Sequence, residues 1–248
     1  MEVHHHPEVE KKTFKEYALE GLMIFIAVVM GFFAENIREW FSENHTERAY
    51  ARLLWNDLKT DSSTLNSVMI VKNWRAGKCD SLITILKTGE FEQHSSTIYY
   101  LQSCLKINIP FRVHDATFQQ LTNSGGFRFF RNTELYHEIV QYYSTFRFYR
   151  ERETERTLET PRDLLSRIFK SEFIIADGKI TQNLMDAPSF PQGNPQLLTS
   201  DLGVMNEYML YVGMERDANS LARSVLQFQI MESLERTRSA LQKEFHFQ

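Results

Sequence analysis

An unbroken apolar run from Gly21 to Ala34 stands near the start of a chain that is otherwise amphipathic. A helix over this run would be apolar on all sides, which a surface helix of a globular domain does not tolerate. The run spans about 21 Å, less than the about 30 Å of a bilayer core, but Tyr17 and Trp40 add an aromatic residue at each end, as in interfacial belts. The pattern predicts a membrane anchor helix over residues 13–42. A cleaved signal sequence and a buried core helix are the alternatives.

The pattern after the anchor is amphipathic and helical. Apolar residues recur at three- and four-residue steps, namely Leu54, Leu58, Leu65, Val68, Met69, Leu82, Ile83 and Leu86. This first helix is expected to bend or turn at the polar patch 60–64 and to end near Gly89. Further helices are predicted over 95–106, around 114–122, from an N-cap at Asn132, from Thr160, and from about 200 to 245; a loop is predicted over 177–194.

The predicted fold class is therefore all-α, with an N-terminal transmembrane helix followed by an antiparallel helical bundle with long helices. Residues 1–12 are expected to be a flexible, histidine-containing tail, and residues 43–248 the helical domain. The low content of 10 Gly and 6 Pro in 248 residues agrees with long helices rather than a turn-rich β fold.

Charge excludes one partner class and leaves the membrane orientation open. The net charge of −4 and the pI near 6.1 argue against non-specific nucleic-acid binding. Basic residues balance across the apolar run, so the positive-inside rule decides nothing: Lys11, Lys12 and Lys15 precede the run, and Arg38, Arg48 and Arg52 follow it. The default expectation is the inner membrane, with the tail in the cytoplasm and the C-terminal domain in the periplasm.

Two cysteines are candidates for a disulfide. Cys79 and Cys104 lie equally far along the sequence from the midpoint between residues 91 and 92, so they would be level in an antiparallel helix pair. A bridge also requires the side chains to face each other, and it would fit an exported domain. Two ordinary buried thiols are the alternative.

Arginines alternate with aromatic residues between 127 and 156. Such a mixture can bind an anion by charge and stacking, so Tyr143, Phe146 and Arg147 are a candidate anion or ligand site. Acidic residues at 151, 153 and 155 offset the arginines. A helix that packs its aromatic residues in the core and exposes its arginines to solvent would give the same pattern.

No motif predicts catalysis, a cofactor or a functional metal site. The chain has no HExxH, CxxC or Gly-rich phosphate loop. The consecutive histidines 4–6 would bind metal weakly and without specificity. His114 and Asp115 are adjacent, and adjacent helical residues do not face each other. We therefore expect a protein that is not an enzyme and that uses no cofactor.

The anchor has small residues along one face. Ala27, Gly31 and Ala34 follow each other at four- and three-residue steps, and Ile24 extends the row. Small residues allow helices to approach closely in lipid. The row is a candidate membrane-helix contact face. A lipid-facing helix with incidental small residues is the alternative.

Several segments resemble known membrane proteins. The N-terminal part resembles uncharacterised single-pass membrane proteins of the Bacteroidota in residues 1–7 (MEVHHHP), 11–17 (KKTFKEY), 20–25 (EGLMIF) and 30–39 (MGFFAENIRE). Residues 52–61, 117–121, 124–126 and 142–143 are more loosely similar to DUF6090-type proteins, which also begin with one apolar helix before a helical domain. The resemblance implies native histidines in the tail and no assigned activity.

Taken together, these features predict a membrane-anchored helical protein that acts through protein contacts. Its expected partners are the lipid bilayer and either further copies of itself or another membrane protein, so that it oligomerises or serves as an accessory subunit of an envelope complex. A ligand-sensing helical-bundle module that signals through a partner is the alternative function.

Overall fold

The computed structural model describes residues 13–155, 162–170, 188–193 and 195–247, and these residues contain helices but no strand. The α-helices are, in order, α1 (Phe14–Leu86), α2 (Ser95–Leu105), α3 (Ala116–Ser124), α4 (Thr133–Glu155), α5 (Arg162–Ile168), α6 (Leu202–Val225) and α7 (Glu232–Phe245). A 3₁₀-helix, Gly126–Phe129, precedes α4, and a π-helix, Leu226–Met231, joins α6 to α7. The all-α class and the long N-terminal apolar helix are confirmed for this part of the chain. The predicted tail 1–12, the cap at Thr160 and most of the predicted loop 177–194 lie outside it.

Helix α1 continues without interruption through the polar patch 60–64, so the chain makes no turn there. The hydroxyl groups of Thr60 and Thr64 donate hydrogen bonds to the carbonyl oxygens of Asn56 and Thr60, four residues earlier. This internal bonding satisfies the hydroxyl groups on the helix itself. The patch is therefore compatible with a regular helix.

Local sequence signals explain several helix ends. Gly89 follows α1 with a φ of +73°, and Gly125 ends α3 with a φ of +67°, a left-handed conformation that glycine adopts without strain. Asn132 caps α4 as predicted, since its Oδ1 accepts a hydrogen bond from the Leu135 amide at 3.1 Å. Asp201 caps α6 in the same way through the Val204 amide at 2.9 Å.

The described residues divide into two compact units, one ending at Tyr50 and the other beginning at Ala51. In the second unit one face of α1 is buried along its whole length. Eleven of the buried residues follow one another in alternating steps of three and four, as in the seam of a coiled coil: Ala51, Leu54, Leu58, Asp61, Leu65, Val68, Lys72, Arg75, Cys79, Leu82 and Leu86. We call this set the α1 seam.

The other helices of the second unit pack around the α1 seam and one another. Near its end the seam shares a core cluster with α2, α5 and α6, in which Tyr99 and Tyr208 both contact Phe169 edge-on. Helix α4 packs along α7, where the Thr237 hydroxyl donates to the Glu138 carbonyl oxygen and Asn132 bonds to Glu244. Trp55 on α1 packs against Phe247, just after α7.

Candidate functional site

The apolar run of α1 is exposed in the first unit. An 18-residue window of this helix is apolar enough to cross a membrane, and none of the window is buried by the rest of the chain. The side chains of Phe25, Met30 and Phe32 are each more than 60% exposed. The segment is therefore not buried by the part of the chain that the structure describes. Burying such a surface in hydrocarbon would be strongly favourable.

The predicted contact face lies on this exposed helix. Ile24, Ala27, Gly31 and Ala34 are all exposed, and a Cβ added to Gly31 would meet no atom within 4 Å. Nothing in the described chain fills the shallow groove at Gly31. A second helix can therefore approach the backbone there.

The end of the apolar run is marked by an ion pair and by aromatic residues. The Arg38 guanidinium bonds to the Glu35 carboxylate, with Nη2 and Oε1 2.5 Å apart. Trp40 and Phe41 follow, with their rings in edge contact at 5.0 Å. Paired charges and aromatic rings are typical of the interface between hydrocarbon and water.

The residues of the predicted anion site do not share one environment. Tyr143 and Phe146 are buried, and each packs against another ring: Tyr143 stacks on Phe118 at 4.2 Å, and Phe146 meets Phe111 at 5.4 Å. Arg147 is exposed on the same helix, and the guanidinium over the Phe146 ring is that of Arg150. This arrangement is that of aromatic side chains packed in the core next to an arginine that is exposed to solvent.

Cys79 and Cys104 are both buried, and both are free thiols in the structure. Burial raises the pKa of the Cys79 thiol to about 12, and its charged neighbours are Arg75 and Glu215. Burial also raises the pKa of Cys104, whose neighbours are instead Tyr100 and Lys78. The two thiols thus have different neighbouring side chains.

A buried carboxylate lies in the middle of the second unit. Asp61 of the α1 seam accepts hydrogen bonds from the backbone amide of His114 at 2.9 Å and from the Tyr142 hydroxyl at 2.8 Å. Its Oδ1 is also 2.6 Å from Nδ1 of His114. Burial raises the pKa of Asp61, and these hydrogen bonds oppose that effect. Burial raises the pKa of Tyr142 too, so its phenol stays protonated and donates.

This cluster joins three parts of the fold. The Tyr143 hydroxyl donates to the His114 carbonyl oxygen at 3.1 Å, so the connector before α3 is bonded to both α1 and α4. The imidazole of His114 is about half exposed, at 48%. An aspartate that orients a histidine can assist proton transfer, but the bonds of this pair also hold a connector in place, which is a structural use.

A second polar cluster surrounds Arg75, further along the α1 seam. Its Nη2 donates to the Leu105 carbonyl oxygen at 2.7 Å and to Glu215 at 3.1 Å, and its Nη1 donates to Asn219 at 3.2 Å. One turn earlier, Lys72 bonds to Asn108 at 3.1 Å. Arg75 therefore links α1, α2 and α6 through one guanidinium.

Sequence reasoning missed these two clusters, although a signal was present. Asp61, Lys72 and Arg75 continue the three- and four-residue steps of the apolar stripe. An ionisable residue on such a stripe is expected to be buried and paired. The groups that pair with these ionisable residues lie between 30 and 144 positions away in the sequence.

Neither metal-ligating side chains nor related proteins point to a function. Among the described residues, no three His, Cys, Asp or Glu side chains are grouped so that they could hold a metal ion. No protein-family model, curated protein or solved structure matches the chain.

Proposed function

We propose that this chain is a non-enzymatic, single-pass membrane protein that acts through protein contacts, either by oligomerising or as an accessory subunit of an envelope complex. The observation behind the proposal is the exposed apolar segment of α1, with charges and aromatic rings at its end. The buried polar side chains of the second unit support the non-enzymatic assignment, since those of Asp61 and Arg75 are engaged in bonds between helices.

The second unit is proposed to be an antiparallel helical bundle. Residue numbers rise along α4 from Asn132 to Glu138 while those of their partners on α7 fall from Glu244 to Arg236. Along α1, Trp55 and Arg75 contact Phe247 and Asn219 in the same reversed order. These pairings support helices that run in opposite directions.

The proposed location is the inner membrane, with the C-terminal domain in the periplasm. The N-terminal resemblance to single-pass proteins of the Bacteroidota supports the membrane. A reporter fused after residue 248 tests the orientation: an enzyme active only in the periplasm should be active in this fusion, and activity of a cytoplasm-only reporter would reverse the assignment.

Membrane insertion is tested on the full chain expressed in bacteria. We expect the protein in the membrane fraction, resistant to alkaline carbonate and released by detergent. Recovery of the full chain in the soluble fraction, or its release by carbonate, would refute the anchor.

The contact face is tested by adding bulk on opposite sides of the anchor. Gly31→Leu fills the groove that small residues leave open, whereas Val29→Leu places the same leucine side chain about 200° around the helix. Because close approach needs small residues, we expect Gly31→Leu to lower the yield of chemically crosslinked oligomer or complex several-fold, and Val29→Leu to leave it unchanged. Equal yields for the two variants would reject the face.

A further inference from the structure

Helix α6 and the π-helix Leu226–Met231 that continues it carry two regular rows of residues on opposite sides. Met205, Val212, Asn219 and Leu226 follow at seven-residue intervals and are buried. A second row with the same interval is exposed, and it consists of Met214, Leu221 and Phe228. Residues two positions apart are about 200° apart on a helix, so the second row faces away from the core.

The exposed row is part of a longer apolar surface. Leu210 is 66% exposed and Phe228 is 65% exposed. We call Leu210, Met214, Leu221 and Phe228 the α6 stripe. The outer face of a helix on a soluble domain is normally polar, and an exposed apolar row of this kind is a candidate binding surface.

The residues around the α6 stripe favour a second helix as its partner. The seven-residue interval is the spacing with which one helix packs against another. Small uncharged residues border it, among them Gly213, Ser220 and Ser224, and a Cβ added to Gly213 would meet no atom within 4 Å. The carboxylate of Asp217 is bonded to Arg216 of the same helix at 2.9 Å, so two such stripes can meet with little charge repulsion.

The exposed area fits a weak contact between two copies. A fully exposed large apolar side chain presents roughly 150–200 Å², so the α6 stripe presents roughly 400 Å². Two copies would bury about 800 Å² in total, which is less than a permanent interface buries and in the range of a weak one. A bilayer surface is a poorer partner. A helix that lies on a bilayer needs a charged face opposite its apolar face, and the side of α6 opposite the stripe is in the core.

We propose that the α6 stripe binds the α6 stripe of a second copy of this chain. The inference rests on the proposed function in one respect: anchoring in one bilayer raises the effective concentration of the copies, so an interface of modest area is sufficient. The α6 contact belongs to the second unit and is separate from the contact face of the anchor.

A cysteine in the middle of the stripe tests the contact. Met214→Cys in the full chain should form a disulfide-linked homodimer when native membranes are treated with a mild thiol oxidant. The unmodified chain should not, because Cys79 and Cys104 are buried. Absence of the Met214→Cys dimer, or a crosslinked product with the mass of another protein, would overturn the proposal.

A matched pair of glycine variants tests specificity. Gly213→Glu puts a charge at the edge of the stripe, and Gly77→Glu puts the same charge on exposed α1; both sites have open space for a side chain. Added to Met214→Cys, Gly213→Glu should lower the dimer yield about tenfold, equivalent to about 1.4 kcal/mol, whereas Gly77→Glu should not change it. A yield that Gly213→Glu leaves unchanged would overturn the proposal.

The failure of this inference can be told apart from a failure of the proposed function. Disulfide crosslinking of a Gly31→Cys variant tests the contact face of the anchor, and membrane fractionation tests the anchor itself. A chain that stays in the membrane and forms the Gly31→Cys dimer, but not the Met214→Cys dimer, refutes only the α6 contact. A chain found in the soluble fraction refutes the anchor, and a Met214→Cys dimer in that fraction would still support the α6 contact.

Discussion

At the scale of single residues, three ionisable side chains occupy positions of the α1 seam that apolar residues would otherwise fill. Asp61, Lys72 and Arg75 are all buried, and each bonds to a group from another part of the fold. Burying a charge is unfavourable unless it is paired and hydrogen-bonded. Each of the three therefore favours only the alignment of helices that supplies its partner.

The two tyrosines beside this cluster should contribute unequally to stability. Tyr142→Phe removes a hydrogen bond to a buried carboxylate and should lower the free energy of unfolding by about 1.5–3 kcal/mol. Tyr143→Phe removes a bond to a neutral carbonyl oxygen and should lower it by about 0.5–1.5 kcal/mol. Chemical unfolding of the full chain in detergent micelles measures both; a larger loss for Tyr143→Phe would contradict the assigned partners.

The Asp61 carboxyl should make stability depend on pH. Burial raises its pKa in the folded state above the ordinary 3.8, so the folded chain holds this proton more tightly than the unfolded chain. The contribution of this group is complete below the unfolded pKa and is lost as the pH rises through the folded pKa. In Asp61→Asn, this loss of stability with rising pH does not occur.

The free energy of unfolding of Asp61→Asn, relative to the unmodified chain, should therefore increase as the pH rises above 3.8. Asp80→Asn is the control, because Asp80 lies exposed on the same helix. Unfolding curves at several pH values in detergent measure the differences. If the difference for Asp61→Asn stayed constant across this range, the buried carboxyl would not be the titrating group.

The two thiols should be unreactive in the folded chain. With a pKa of about 12, Cys79 has almost no thiolate at neutral pH, and Cys104 is buried as well. We expect no alkylation of the native protein and two alkylated cysteines after unfolding without a reductant, counted by mass spectrometry. Alkylation that requires a reductant would establish the disulfide that the sequence spacing suggested.

At the scale of elements, the ends of helices depend on local sequence and were accessible from it. The C-terminal stop at Gly89 and the cap at Asn132 require only residues within one helical turn. The patch 60–64 shows the limit of local reasoning. Its polar residues suit a turn equally well, but the helix continues there, and Asp61 within it bonds to Tyr142 on α4.

The N-cap of α6 gives a prediction at this scale. Asp201→Ala removes the side-chain acceptor of the Val204 amide and should lower the free energy of unfolding by about 1 kcal/mol. Asp201→Asn keeps an acceptor oxygen and should cost much less. Thermal or chemical unfolding compares the two. Equal losses would mean that the charge of Asp201 matters more than the capping bond.

At the scale of the whole molecule, two apolar surfaces are left uncovered by the described chain. One is the run of α1 in the first unit, and the other is the α6 stripe in the second. Their compositions differ: the first is apolar on all sides, which suits lipid, and the second is a stripe on a helix whose other side is in the core. One surface therefore favours a membrane and the other a protein.

The sequence by itself determined the helical class, the apolar run and its small-residue face, and most helix ends, because each depends on periodicity or on residues a few positions apart. Tertiary structure alone decided which groups pair with Asp61 and Arg75, why Tyr143 and Phe146 are packed apart from the exposed Arg147, and which face of α6 is left outside. The apolar pattern of α6 alone does not separate the two rows. Both rows repeat every seven residues, and only the packing of the other helices buries one of them.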